Sequence, residues 1–511
     1  ICDGPPEVFT ITVNPTAQVN EPTDQLLCNT ENTNTVTFTT DRTIGVTSYT
    51  WTNDSPSIGL AASGSGDIPS FAALNFGTAP VIATITVTPQ FEYGGHSCIG
   101  PNQEFTITVN PSAQVNDPAD QVVCNTGVSS ASFTTANTGG TTVFNWVNDT
   151  PAIGLAASGS GDFSFSTVNS GIAPVVATVT VTPQYTSGGL TCDGPSQQFT
   201  ITVNPTAQVN DPADQVVCNT ENTLPINFTS NRTTGTTTYT WINDMPSIGL
   251  AASGTGNIPA FAAVNTGLGP VIATITVTPH FGFGGQICDG PSETFTIMVN
   301  PSAQVDDPSD QVLCNTDATT VNFSTNTIGG TTSYTWVNDS PGIGLAASGS
   351  GNIAFNAVNA GTSPLVATIS VTPHFTNSSA VCDGPVQQFT ITVNPVAQVN
   401  DPADQSVYNG GNTTTVAFTT DRSGGTTSYS WTNDTPSIGL AATGSGDIPA
   451  FTAVNSTMAP VTATITVTPQ FTFGGLSCDG PPETFTITVD DGVPVTNAGL
   501  DQEICASLST T

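Results

Sequence analysis

Lysine is absent from this chain, and three arginines are its only strongly basic residues. They stand against 38 acidic residues, so the formal net charge is −35 although only 8% of the residues are charged. A chain without a basic patch cannot neutralise phosphates, so we expect no nucleic-acid partner and no attraction to anionic lipid. The absence of lysine also excludes Schiff-base chemistry and Lys–Asn cross-links. The sequence predicts an acidic, self-repelling surface.

Long apolar runs are missing too. No stretch of about 18 apolar residues occurs, so we expect no segment that inserts directly into a membrane. A chain with few charges, 49 glycines and 38 prolines could be disordered, but 37% of the residues are hydrophobic and lie in alternating runs. That alternation predicts folded β modules. At 511 residues the chain is too long for a single core, so several domains are expected.

The chain repeats itself with a period near 95 residues. Its five tryptophans are each 95 positions apart, and the motif "FTI" occurs six times at steps of 94 or 96. We therefore predict a last strand of a preceding repeat (1–15), repeat 1 (16–111), repeat 2 (112–205), repeat 3 (206–301), repeat 4 (302–395), repeat 5 (396–491) and the start of a following, different domain (492–511). The sequence is thus expected to be part of a longer secreted protein. Repeats 1, 3 and 5 also share an arginine that repeats 2 and 4 lack.

Within each repeat the hydrophobic residues alternate as in β-strands. In "FTITV", Phe105, Ile107 and Val109 face one way and the two threonines face the other. No segment has the pattern of a helix, and "NDSPSIGL" and "SGSGD" have turn chemistry. The tryptophans are predicted to anchor the cores: Trp51, Trp146, Trp241, Trp336 and Trp431. We predict an all-β fold, a tandem array of Ig-like β-sandwich domains arranged end to end.

Three motifs together resemble a known domain family. They are "TWTNDSPSIGLAASGSGDIP", "PVIATITVTPQF" and "CDGPPETFTITVNP", and with their variants they cover nearly the whole chain. The combination is similar to the PKD-like repeats of very large Bacteroidota cell-surface adhesins, some of which serve gliding motility and are exported by the type IX secretion system. The resemblance implies an Ig-like fold, an extracellular location at the bacterial cell surface with an outer-membrane anchor elsewhere, and a role in adhesion.

Eleven cysteines at regular spacing indicate disulfides and an oxidising compartment. One pairing scheme joins cysteines within each repeat: Cys28–Cys98, Cys124–Cys192, Cys218–Cys288 and Cys314–Cys382. The other joins neighbours such as Cys98 and Cys124, 26 residues apart. Reach favours the first, because the second would require a chain that advances from domain to domain to double back. Tyr408 replaces a cysteine in repeat 5, so Cys478 is expected to be unpaired here, together with Cys2 and Cys505.

Catalytic chemistry finds little support. His280 and His374 occupy a repeat position that elsewhere holds glutamine, and His96 lies apart from them. No "GxSxG" motif or repeated Ser–His–Asp set occurs, and "GSGD" fits neither the P-loop nor the dinucleotide pattern. We therefore expect no enzyme, no catalytic residues and no cofactor. Asn53 begins the sequon "NDS", but repeat 3 lacks the sequon, so this asparagine is expected first to form a turn.

Calcium is the one metal to consider. Acidic residues recur beside proline where the repeats join, and hard oxygen ligands at a junction could hold Ca²⁺ and stiffen it. The candidates are Asp117, Asp120, Asp211, Asp214, Asp306, Asp307, Asp310, Asp401 and Asp404. Against this, Asp beside Pro commonly forms turns, and two or three acids are not a complete ligand set.

These features predict a structural stalk that projects a distant adhesive region and bears tension. Its partners would be the neighbouring repeats of the same chain, with surface or polysaccharide ligands bound by regions outside this sequence. Bridges within each repeat would limit extension under load, with repeat 5 as the exception. Two alternatives remain open: repeats that bind glycans multivalently, and lateral self-association into a filament or sheath, which the net charge opposes unless cations screen it.

Overall fold

The computed structural model describes residues 4–492, and these contain β-strands, five short 3-10 turns and no α-helix. Repeat 1 contains β1 (Gln25–Cys28), β2 (Val46–Asn53), β3 (Ser63–Ser65), β4 (Val81–Tyr93), β5 (His96–Ile99) and β6 (Gln103–Asn110). Repeat 2 contains β7 (Gln121–Cys124), β8 (Val128–Ala131), β9 (Thr141–Asn148), β10 (Ser158–Ser160), β11 (Phe163–Ser166), β12 (Val175–Ser187), β13 (Leu190–Asp193) and β14 (Gln197–Asn204).

The remaining repeats follow the same plan. Repeat 3 contains β15 (Gln215–Cys218), β16 (Thr236–Asn243), β17 (Ser253–Thr255), β18 (Val271–Phe283), β19 (Gln286–Asp289) and β20 (Glu293–Asn300). Repeat 4 contains β21 (Gln311–Cys314), β22 (Ala318–Val321), β23 (Thr331–Asn338), β24 (Ser348–Ser350), β25 (Ile353–Asn356), β26 (Leu365–Asn377), β27 (Ala380–Asp383) and β28 (Gln387–Asn394). Repeat 5 contains β29 (Gln405–Tyr408), β30 (Thr426–Asn433), β31 (Thr443–Ser445), β32 (Val461–Phe473), β33 (Leu476–Asp479) and β34 (Glu483–Asp490).

One six-stranded sheet dominates each repeat. In repeat 1 the order is β1-β6-β4-β2-β3, and β5 pairs with the far half of β4. We call these the first strand (β1), tryptophan strand (β2), long strand (β4), hairpin strand (β5) and last strand (β6), and use the same names for their counterparts. The first strand is parallel to the last strand, whereas the long strand is antiparallel to both of its neighbours. This confirms the predicted all-β, Ig-like tandem architecture.

The second layer of each sandwich is small and alternates along the chain. In repeats 2 and 4 it is a two-stranded sheet, β8 with β11 and β22 with β25. In repeats 1, 3 and 5 the same segments meet only through isolated bridges, such as Asn32 with Ala72 and Val36 with Ile68. The alternation seen in the sequence therefore also appears in the backbone.

Each core is centred on the inward face of the main sheet. In repeat 3, Trp241 packs with Ile275, Val277 and Ile297, and the three aliphatic residues have no exposed surface. The structure places the predicted anchors in the cores, each only 6–7% exposed: Trp51, Trp146, Trp241, Trp336 and Trp431. The "SGS" strand crosses directly over the indole, and a Cβ at Gly254 would overlap the Trp241 ring. The glycine is needed because the backbone approaches the ring so closely.

The turn after the tryptophan strand is held by a buried asparagine. The Asn53 side chain is 5% exposed and donates to the carbonyl of Leu60, while its oxygen accepts from the backbone N–H of Ser55. A 3-10 turn, Pro56–Ile58, follows it and buries Ile58. The turn role expected for Asn53 is therefore present, and the amide that a sequon would modify is occupied inside the fold.

We expect Gly254→Ala to destabilise repeat 3 by about 1–3 kcal/mol, because the added methyl group must displace the Trp241 ring in a filled core. Hydrogen exchange of peptides from β16 and β17 should become faster, with repeat 1 unchanged. Ser253→Ala, at the exposed neighbouring position, is the matched control. Equal effects of the two substitutions would contradict the packing argument.

Candidate functional site: the junctions between repeats

Four disulfides join successive repeats, and among residues 4–492 none lies within a repeat. They are Cys28–Cys192, Cys124–Cys288, Cys218–Cys382 and Cys314–Cys478, each spanning 164 residues, with Cα atoms 5.4–5.6 Å apart. The predicted pairs Cys28–Cys98, Cys124–Cys192, Cys218–Cys288 and Cys314–Cys382 are therefore wrong. The alternative of sequence neighbours is wrong as well. Each bridge links the first strand of one repeat to the hairpin strand of the next.

The strand directions explain why the two cysteines of one repeat cannot meet. Cys28 lies level with Asn110 at the end of the last strand, where the long strand begins at Val81. Cys98 lies opposite Phe91, ten residues further along the long strand. At about 3.3 Å per residue the two cysteines are roughly 33 Å apart, at opposite ends of the sheet, whereas a bridge needs about 6 Å.

The new pairing also changes which cysteines lack partners. Cys478 is bonded to Cys314 in repeat 4, so the expectation that it is unpaired is wrong. Cys98, half-buried, is the free cysteine among residues 4–492, and Cys2 and Cys505 lie outside the described residues. Tyr408 occupies the first-strand position that would bond forward to a repeat after repeat 5, so its substitution leaves the bridge to Cys478 intact. The retention of Cys478 in a repeat where tyrosine replaces the other cysteine was the one sequence signal against the within-repeat scheme.

A hairpin that reaches back to the preceding repeat positions each bridge. The long strand pairs with the last strand only over its first seven residues, and its far end pairs with the hairpin strand instead. The tip of this hairpin in repeat 2 accepts a hydrogen bond at the Ser187 carbonyl from the Asn110 side chain, 3.0 Å away. Leu26 of repeat 1 packs against the tip at Gly188. The same asparagine contact recurs at the other junctions: Asn204 to Phe283, Asn300 to Asn377 and Asn394 to Phe473.

The junction between repeats 3 and 4 has a small apolar core of its own. Cys218, Ala303, Phe375 and Cys382 form one buried cluster that draws on both repeats and on the connecting segment. Ala303 and Phe375 have no exposed surface. Burial of an aromatic ring against the bridge excludes water from the disulfide and adds hydrophobic stabilisation to the covalent bond.

A second set of contacts links the repeats through a separate pair of loops. The backbone N–H of Thr138 in repeat 2 donates to the Thr78 carbonyl in repeat 1, 2.8 Å away. Equivalent bonds recur at each junction: Thr233 to Ile172, Ile328 to Leu268 and Ser423 to Thr362. Each junction is thus connected by the linker peptide, by the bridged hairpin and by this loop contact, and these separate attachments resist bending.

Arginines reinforce every second junction. The Arg232 guanidinium donates to the Gly171 carbonyl of the preceding repeat (3.0 Å), and its Nε donates to the Thr206 carbonyl (2.7 Å). Arg422 makes the same pair of bonds to repeat 4 and to its own repeat. The corresponding positions in repeats 2 and 4 are Asn137 and Thr327. The shorter Asn137 side chain still donates to the Thr78 carbonyl of repeat 1 (3.5 Å) and to the Ser112 carbonyl of its own repeat (3.2 Å). The three arginines of the sequence are thus positioned for fold and junction geometry, with Arg42 bonding to Thr16 in repeat 1.

Four of the nine acidic residues proposed as calcium ligands cap backbone groups. Asp120, Asp214, Asp310 and Asp404 each accept a backbone N–H from the last strand of their own repeat at 2.6–2.7 Å. Among residues 4–492 no three acidic, histidine or cysteine side chains form a group suited to a metal ion. The remaining candidates do not assemble into a cage either: Asp117, Asp211, Asp306, Asp307 and Asp401. Asp306 instead accepts from Ser324 and Asn326.

This capping alters the acidity of three of these aspartates. The N–H of Thr296 holds the pKa of Asp214 below its usual value, because a hydrogen bond to the ionised carboxylate favours that form. The N–H groups of Thr200 and Thr390 lower the pKa of Asp120 and Asp310 in the same way. All three carboxylates lie at the surface, so solvent screens their contribution.

Two histidines form polar ladders that their sequence positions did not reveal. His280 lies between the Thr240 hydroxyl, 2.9 Å from Nε2, and the Asp289 carboxylate, 2.6 Å from Nδ1. His374 repeats the arrangement with Thr335 and Asp383. The order of groups is that of a nucleophile–base–acid chain, but Gln184 and Gln470 make the same bond to aspartate in repeats 2 and 5. These hydrogen bonds therefore connect the tryptophan strand, the long strand and the hairpin strand, beside the bridge.

No family model matches the sequence, and no curated protein is significantly similar to it. Among solved structures, the chain resembles Sidekick-1 immunoglobulin domains 1–5, with 10% identity, a TM-score of 0.21 and coverage of 93% of this chain and 100% of that one. It also resembles mouse cadherin-23 EC22–24, with 14% identity, a TM-score of 0.29 and coverage of 56% and 99%. Similarity at this level carries no argument about function. No helix among the described residues is long and apolar enough to cross a membrane.

The capping aspartates predict a pH dependence. The folded pKa values of Asp120, Asp214 and Asp310 are lowered from 3.8, so each carboxylate stabilises the fold above that value, and this contribution is lost as pH falls through the folded pKa. We expect the triple variant Asp120→Asn, Asp214→Asn, Asp310→Asn to melt below wild type at pH 7, with the difference shrinking at pH 3.

The matched control removes the same number of charges nearby, by Asp117→Asn, Asp211→Asn and Asp307→Asn. Calorimetry of both variants at the two pH values checks the prediction. If the control lowers the melting temperature as much as the triple variant does, net charge rather than capping determines the effect.

Proposed function

We propose that this chain is a structural spacer of an extracellular adhesion protein, a stalk segment that holds a distant adhesive region away from the cell and bears tension. The observation that supports it most strongly is the set of four junctions, each connected by a linker peptide, a disulfide and hydrogen bonds on a separate pair of loops. The chemistry of the molecule is then mechanical. Tandem β-sandwiches whose chain enters and leaves at opposite ends suit such a role.

The bridges limit how far the chain can extend. Cys28 and Cys478 are 450 residues apart in sequence, equivalent to about 1,600 Å when fully extended. With the bridges intact, two covalent routes between them are equally short. One uses 26 residues from Cys192 to Cys218 and 68 from Cys382 back to Cys314, and the other uses 68 from Cys192 back to Cys124 and 26 from Cys288 to Cys314. The 94 residues of either route extend to only about 330 Å. Tension therefore cannot draw out the repeats one after another while the disulfides hold.

The finer assignment rests on the sequence motifs. Their resemblance to PKD-like repeats supports a place in a large Bacteroidota surface adhesin, exported by the type IX secretion system and anchored to the outer membrane, with gliding motility as one context. The predicted domain boundaries are part of this proposal. The bridges support these boundaries, because each one spans 164 residues and joins equivalent positions of successive repeats, as expected for an array of copies of one unit.

Pulling on single molecules tests the stalk function. We expect the oxidised chain, held outside Cys28 and Cys478, to stop extending at a separation of about 330 Å between those residues, and the reduced chain to extend in successive steps to about 1,600 Å. The oxidised chain should also need a higher force to open. Repeat 5 should behave like the others, because Cys478 is bonded.

Cys98→Ser is the matched control, since it removes a cysteine but no bridge. Cys314→Ser with Cys478→Ser removes an end bridge and should raise the limit to about 430 Å, because the shortest route then uses 26 residues from Cys192 to Cys218 and 96 from Cys382 to Cys478. Repeats that open at negligible force in the oxidised chain would contradict a load-bearing role.

A further inference from the structure

The four disulfide loops interlace along the chain. Cys28–Cys192 overlaps Cys124–Cys288, which overlaps Cys218–Cys382, which overlaps Cys314–Cys478. Each overlap is as long as one cysteine-to-cysteine segment of a repeat, about 70 residues, and no gap lies between successive loops. Every peptide bond from Cys28 to Cys478 is therefore inside at least one loop closed by a disulfide.

Bridges within the repeats would not have this property. In that scheme the linker from Cys98 to Cys124 would be the only covalent connection between repeats 1 and 2. In the structure this linker lies inside the loop that Cys28–Cys192 closes. Each of the four junctions consequently has two covalent connections, the linker peptide and the bridge, in different parts of the chain.

We propose that this pairing makes the array tolerant of backbone cleavage, so that an extracellular endoprotease that cuts one peptide bond does not release the distal part. The inference deepens the proposed stalk function and rests on it for its biological meaning. Hydrolysis adds one water across one peptide bond and yields a carboxylate and an amine. No electrons are exchanged, and the bridges remain intact.

Noncovalent contacts keep a cut chain in its native arrangement. A break in the loop that holds Arg232 leaves its flanking strands β15 and β16 within one sheet. The bond from the Asn204 side chain to the Phe283 carbonyl joins a residue before this loop to one after it, and does not involve the loop itself. Load can thus pass through the bridge and the sheet after the peptide is cut.

Trypsin can test this pairing, because the chain has no lysine and trypsin therefore cuts only after Arg42, Arg232 and Arg422. All three sites lie between Cys28 and Cys478. Complete cleavage gives the fragments 1–42, 43–232, 233–422 and 423–511. With the bridges of the structure, the first two fragments are joined by Cys28–Cys192, the middle two by Cys124–Cys288 and Cys218–Cys382, and the last two by Cys314–Cys478.

The experiment uses the full oxidised chain with free thiols alkylated, digested by trypsin in moderate urea until all three sites are cut. On a denaturing gel without reductant we expect one species at the 52.0 kDa position of the intact chain, and four fragments after reduction. Release of fragment 423–511 before reduction would overturn the proposal, because that fragment is held only by Cys314–Cys478. Release of fragment 1–42 would overturn it equally.

Variants locate the effect in one bridge. Cys314→Ser with Cys478→Ser should release fragment 423–511 without reductant, whereas the control Cys98→Ser should release nothing. The wild-type digest tests the proposal even if the double variant folds poorly.

Whether a cut chain still bears load in the folded state is tested by pulling on chains digested in buffer without urea. We expect them to stay attached at both ends while oxidised and to part when reduced. The proposal would be overturned if a cleaved chain with its disulfides intact separated into two pieces under load. If the proposed stalk function failed instead, the oxidised repeats would open at negligible force but still resist fragmentation.

Discussion

A long strand that extends beyond its own sheet is the feature on which the rest of the array depends. Each thirteen-residue strand pairs with the last strand over seven residues, and its remainder forms a hairpin directed at the preceding repeat. The hairpin tip receives the junction asparagine, and its second strand carries the cysteine of the bridge. Without this overhang the repeats would be joined only by the linker, the loop contact and the few side-chain bonds beside it.

Each junction combines one disulfide with several weaker hydrogen bonds. A single backbone hydrogen bond such as that from Thr138 to Thr78 contributes about 1 kcal/mol and cannot hold two domains against force. The disulfide holds, but one bond between two bodies permits rotation about it. Together they fix both distance and direction. At two junctions an arginine adds bonds to the preceding repeat, and at the first junction the Asn137 amide donates to the Thr78 carbonyl instead.

Few charged side chains take part in any of this. One aspartate in each repeat accepts a backbone N–H of the last strand, as Asp214 does from Thr296, and so helps to fix the position of that strand in the sheet. The histidine ladders do the same across three strands. In a chain with a net charge of −35, disulfides and hydrogen bonds to backbone carbonyls hold the junctions together, because only three arginines are present to form salt bridges between repeats.

The sequence by itself determined the repeat period, the all-β class, the strand faces and the tryptophan anchors, because alternation and periodicity are local properties that survive in any arrangement of the strands. It also limited the chemistry, through the missing lysine and the scattered histidines. The disulfide pairing was decided only by the tertiary structure. Cys28 and Cys98 belong to one repeat, but a parallel first strand and an antiparallel long strand place them at opposite ends of the sheet. Spacing along the chain carries no information about which end of a folded domain a residue occupies, and that position decided which cysteines could meet.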